Sequence, residues 1–109
     1  MSAPVFVVSE WLPKENQEEA LFQKFKKLMA LTKASEQGCI RAHATRQIVH
    51  PGSPGKSKYK IVLLQEYDNI KAFDVHCDSD YVKEAFATLV EGNEALVQEW
   101  TCRLFSEEV

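Results

Sequence analysis

Several stretches of this chain that read as β-strands carry apolar side chains on both faces, and this limits the possible folds more than any other feature. Side chains alternate along a strand. Tyr59, Ile61, Leu63, Gln65 and Tyr67 share one side of a strand that has Val62 and Leu64 between them. Val5, Val7 and Trp11 are backed by Phe6 and Val8, and Trp100, Cys102 and Leu104 by Val97 and Phe105. A sheet wet on one side alternates cleanly between apolar and polar. These strands do not, so both faces of the sheet need cover.

The order of elements says what supplies it. A strand at about Val5–Trp11 ends at Pro13. A helix follows, with Asn16 as expected N-cap and Glu19 three residues later. Its apolar positions Leu21, Phe25, Leu28 and Thr32, flanked by Phe22 and Met29, recur with a 3.6-residue period, and Gly38 is a natural stop. A strand from about Cys39 to Val49, a loop over residues 51–57 and a strand from Tyr59 to Tyr67 form an expected antiparallel hairpin. Asp68 or Asn69 caps a helical region in two pieces, Ile70–Cys77 and Tyr81–Glu91, broken near Asp78-Ser79-Asp80. Ile70, Phe73 and Cys77 share a face of the first piece; Val82, Ala85, Phe86 and Leu89 share one of the second. Gly92-Asn93 ends it, and a last strand runs from about Leu96 to Phe105.

This βαββαβ order predicts an α+β, ferredoxin-like fold: a four-stranded antiparallel sheet with helices on one face. With no chain left over, the second face is expected to pack on another copy, giving a homodimer joined through the sheet face. Each apolar side chain buried there contributes about 1.5–3 kcal/mol.

Size and charge remove other classes. The 109 residues suit a single domain, 1–109, with 45% apolar and 27% charged residues. Thirteen basic against sixteen acidic residues give a net charge of −3, which argues against nucleic acid as partner. The Tyr59–Tyr67 strand also lacks the glycine and paired aromatics of an RNA-recognition sheet. No apolar run approaches the ~20 residues of a membrane span, and Met1-Ser2-Ala3-Pro4 has no basic leader, so no membrane or signal peptide is expected. Cys39, Cys77 and Cys102 are scattered and odd in number, which predicts reduced thiols in a cytoplasmic protein.

Gly52-Ser53-Pro54-Gly55-Lys56-Ser57 resembles the end of a phosphate loop. His50 stands where that pattern needs glycine, and the loop joins two strands instead of opening a helix. It is expected to be a solvated hairpin tip, as is His50. No histidine or cysteine pair has metal-ligand spacing, so no metal is expected. Arg41, Arg46, Arg103 and Glu66 read as surface or interface charges. His76, beside the helix break and near Cys77, Ser79, Asp80 and Tyr81, has two readings: a helix-end cap, or an imidazole facing a pocket, where it could exchange a proton. Trp11, Tyr67, Phe73, Tyr81, Phe86 and Trp100 are either core or the lining of such a pocket for a flat organic ligand.

The segment Gln65-Glu66-Tyr67-Asp68-Asn69-Ile70-Lys71-Ala72-Phe73-Asp74-Val75-His76-Cys77-Asp78-Ser79-Asp80-Tyr81 resembles the signature of the antibiotic biosynthesis monooxygenase family: a strand ending Glu-x-aromatic, a helix, a histidine, then Ser-x-aromatic. The resemblance implies a dimeric α+β barrel and oxygenation of a small quinol or phenol without flavin, haem or metal. It implies His76 as proton acceptor, assisted by Tyr81 or His43, with Tyr67, Phe73, Phe86, Trp100 and Leu63 contacting the ring. Some aromatic-polyketide oxygenases of the family carry Asn, Trp and Tyr where Leu63, Tyr67 and Phe73 stand here. Haem-degrading relatives place an axial histidine where this chain has Phe86, which cannot ligate iron. Other relatives isomerise small phosphorylated ketoses, and a dimer that only binds its ligand would share the same pocket.

Overall fold

A computed structural model describes residues 3–108. The elements are β1 (Val5–Pro13), α1 (Glu18–Ser35), β2 (Cys39–Arg46), β3 (Ile61–Tyr67), α2 (Ile70–Asp78), α3 (Asp80–Phe86), a π-helical turn (Ala87–Glu91) and β4 (Val97–Phe105). The four strands form an antiparallel sheet in the order β2-β3-β1-β4, and the helices lie on one face in a ferredoxin-like arrangement. No helix among the described residues is long and apolar enough to cross a membrane.

The inner face holds the core. Val5, Val7, Ser9 and Trp11 of β1 and Ile61, Leu63, Gln65 and Tyr67 of β3 are buried, alternating with partly or fully exposed neighbours. Two register shifts modify the alternation. One at Leu12/Pro13 sets Pro13 opposite Val97 but Leu12 opposite Glu99, and it turns Val97 into the core with Trp11, Leu21 and Ile61. The other, between Cys39 and Arg41, turns Cys39 inward beside Val5 and Tyr67. Cys39 therefore faces the core while Arg41 and His43 face outward, where uniform alternation would put all three on one side. On the outer face Phe6 and Val8 are partly buried, while Leu64 is 41% and Phe105 50% exposed.

Three helix details differ from expectation. Asn16 does not cap α1. It takes a left-handed conformation (φ 64°), which asparagine tolerates better than most residues, and α1 begins after Gln17 without a side-chain cap. Met29, not Leu28, joins Leu21, Phe25 and Thr32 in the buried stripe. In α2 the inward face is Ala72, Phe73 and His76, while Ile70 is 52% exposed. The break between α2 and α3 falls where expected. The Ser79 hydroxyl and amide both donate to the His76 carbonyl, at 2.6 and 3.2 Å, closing α2. Asn69, one of the two expected caps, accepts the Ala72 amide at 2.9 Å.

Gly38 does not end α1 through a left-handed turn, since no described glycine has a positive φ. Its role is close approach. A Cβ there would lie 2.5 Å from the Ala72 Cβ, so only glycine lets the α1–β2 connection pass under the start of α2. The Asp68 amide donates to the Gly38 carbonyl at 2.9 Å and holds the contact.

Candidate functional site

The helix layer does not seal the sheet. Between the α2–α3–π-turn arch and strands β1, β3 and β4 lies a cavity of about 460 Å³. Val7, Ser9 and Trp11 from β1, Leu63 and Gln65 from β3, and Trp100 and Cys102 from β4 form its floor. Phe25 and Met29 of α1 close its back, and Phe73, His76, Cys77 and Phe86 of the arch face the strands. The wide π turn, a geometry frequent at functional sites, carries Leu89 and Val90 into the same wall. Trp11 stacks on Trp100 with centroids 5.2 Å apart, and Phe86 meets Trp100 edge-on at 5.1 Å. Trp100 stays 40% exposed.

His76 is held from behind. Its Nδ1 lies 2.8 Å from Glu36 Oε2, and the two side chains are 7% and 10% exposed. A carboxylate oxygen accepts, so Nδ1–H donates; in the neutral imidazole the acceptor nitrogen is then Nε2, on a residue that borders the cavity. The Tyr81 hydroxyl donates to the same Glu36 oxygen, and the Tyr81 hydroxyl oxygen lies 3.1 Å from Thr32 Oγ1. Burial, then the bond to Glu36, pushes the Tyr81 phenol above its ordinary range, so it stays protonated as a donor. The second Glu36 oxygen is buried with no hydrogen-bond partner. The close approach at Gly38, two residues on, brings Glu36 under α2.

Sequence reasoning missed Glu36. It lies in a polar run after a helix, outside every motif, and nothing local distinguishes it from the exposed glutamates of α1.

Of the other expected residues, Phe73, Phe86, Trp100 and Leu63 line the cavity. Tyr67 does not. It is fully buried behind Phe73 and His76, with ring centroids 5.5 and 5.4 Å away, and its hydroxyl donates to Gln65 Oε1 at 2.5 Å. Tyr81 contacts Glu36 and not the cavity space. His43 corrects an expectation: it is exposed and pairs in register with Leu64 on the outer face, because odd-numbered residues of β2 after the register shift point away from the helices. His50 is exposed at the hairpin tip, where its Nδ1 accepts the Gly52 amide at 2.9 Å. Arg41, Arg46 and Arg103 form ion pairs with Glu66, Glu19 and Glu10 outside the cavity. Burial pushes the Cys77 and Cys102 thiols up, so these cavity cysteines are protonated and weakly nucleophilic at neutral pH. Among the described residues no three His, Cys, Asp or Glu side chains gather as a metal site requires.

The arrangement combines an apolar chamber with an imidazole backed by a carboxylate, the relation that orients a general base in hydrolytic triads.

Comparison with known proteins agrees with this architecture. The family model described as antibiotic biosynthesis monooxygenase matches residues 4–88. No curated protein matches the sequence significantly. Among solved structures, a Shewanella oneidensis protein is 23% identical, covers 98% of this chain and 93% of its own, and superposes with a TM-score of 0.78. A Caulobacter crescentus protein provisionally named an antibiotic biosynthesis monooxygenase is 23% identical over 95% of this chain and 89% of its own, with a TM-score of 0.74. A dimeric Bacteroides fragilis protein of unknown function and ferredoxin-like fold is 14% identical over 94% of this chain and 95% of its own, at 0.73.

Proposed function

Because the chain belongs to the antibiotic biosynthesis monooxygenase family, we propose that it is a small cofactor-independent monooxygenase of electron-rich aromatic molecules, of the quinol or phenol type. The observation that supports this best is His76, backed by Glu36, at the wall of an otherwise apolar cavity. His76 Nε2 takes the proton of a bound hydroxyl, and Glu36 stabilises the imidazolium that forms. The electron-rich anion then reduces dioxygen directly. For a quinol, carbon–oxygen bond formation and O–O cleavage place one oxygen atom on the ring and release the other as water. The ring gives up four electrons in all and leaves as a hydroxyquinone, so no external reductant is consumed. Trp11, Trp100, Phe73 and Phe86 pack the ring and exclude bulk water.

On this reading the molecule works as a homodimer through the outer sheet face, where Phe6, Val8, Leu64 and Phe105 stand uncovered by the helices. Cys39, Cys77 and Cys102 are free thiols, in keeping with a reducing cytoplasmic setting. The ketose-isomerase alternative is less favoured, because among the described residues Lys83 is the only lysine or arginine on the cavity wall to meet a phosphate. A ligand-binding dimer without catalysis would have no need of an oriented imidazole.

The test is oxygen uptake with a panel of quinols. Activity that falls ~10²–10⁴-fold in His76→Ala supports the assignment. Unchanged uptake in that variant rejects His76 as the base, and ketose conversion without oxygen uptake replaces the oxygenase reading.

A further inference from the structure

The cavity floor carries two polar groups that the proposed chemistry does not use. Gln65 is 8% and Ser9 4% exposed, and both line the cavity from adjacent strands. The bonds behind them fix what each can offer. Burial pushes the Tyr67 phenol far above its ordinary range, so it remains a donor, and it donates to Gln65 Oε1 at 2.5 Å. With the amide flipped, the Tyr67 hydrogen would have no acceptor among the described residues. Gln65 Nε2 is therefore the end turned away from Tyr67. No described residue accepts its hydrogens, and it is not sealed in packing. Ser9 Oγ accepts the Trp11 indole N–H at 2.9 Å. An indole can only donate, so the serine hydroxyl hydrogen is free to be given elsewhere.

We infer that Gln65 and Ser9 form an oxygen-recognition subsite on the cavity floor, a pair of donors for a carbonyl or phenolate oxygen of the ligand. His76 presents an acceptor from the arch and the floor presents donors, so the cavity selects aromatic ligands oxygenated at two separated positions over those with a single hydroxyl. Two buried donors left unpaired by an apolar ligand edge penalise that ligand. This deepens the proposed function and rests on it for the ligand class only.

The experiment is anaerobic titration calorimetry of the full chain with 1,4-dihydroxynaphthalene and 1-naphthol. Wild type is expected to bind the diol about tenfold more tightly. Gln65→Leu is expected to bring the two affinities together, and Ser9→Ala to narrow the gap. The second variant also serves if the first does not fold, judged by circular dichroism. Equal affinities in wild type, no binding of the diol, or a preference that survives in both variants overturns the subsite. Because oxygen is absent, turnover does not enter the affinities. Loss of the oxygenase reading would leave the affinity ratio standing, and loss of the subsite would leave the His76 dependence of oxygen uptake standing.

Discussion

The Nδ1 hydrogen of His76 goes to a carboxylate that is itself 10% exposed, and that carboxylate also receives the Tyr81 hydroxyl. Glu36→Gln preserves the shape and removes the charge that offsets an imidazolium. Steady-state kinetics with the best quinol should show kcat lower by about tenfold or more, with KM within about twofold. An unchanged kcat would leave the pair a structural one. Tyr67 gives a pH prediction. Its phenol is raised by burial, so the folded protein holds the proton while the unfolded chain releases it near pH ~10. The unfolded state then binds fewer protons, and stability, fully present below that pH, declines as pH rises through the folded value. Urea midpoints measured between about pH 9 and 11 should fall less steeply in Tyr67→Phe than in wild type.

Single positions in the elements carry the site's geometry. At Gly38 a side chain would collide with Ala72, so glycine lets the connection after α1 pass close beneath α2. Gly38→Ala should push α2 outward and cost about 1–3 kcal/mol. It should also weaken the Glu36–His76 bond, so thermal stability and oxygen uptake fall together. Gly38→Ala with Ala72→Gly removes the clash and should restore uptake, though a glycine inside a helix costs about 1 kcal/mol. Much at this scale was legible in the sequence. The helix break at Asp78-Ser79-Asp80 followed from local composition. The inward face of α2 did not, because hydrophobic spacing selects Ile70, Phe73 and Cys77, whereas a hydrogen bond to distant Glu36 makes burying His76 affordable.

For the whole molecule, the proposed dimer rests on the outer sheet face. Leu64 stands in register with His43 and Val8 near the middle of that face, and is 41% exposed. An aspartate there would put a charge into the proposed dimer contact. Light scattering at micromolar concentration should report a dimer for wild type and a monomer for Leu64→Asp, with the helix content unchanged. A wild-type monomer would remove the dimer from the proposal.

The sequence alone determined the order of elements, the two-sided character of the sheet and the family, because these rest on periodicity and short motifs that a few neighbouring residues encode. It also singled out His76. Only the tertiary structure decided which groups meet His76. Glu36 lies forty residues upstream in the chain, and a one-residue register shift in β2 sends His43 to the outer face while turning Cys39 inward. Such pairings depend on how α1, β2 and α2 pack together, and no local pattern in the chain records that.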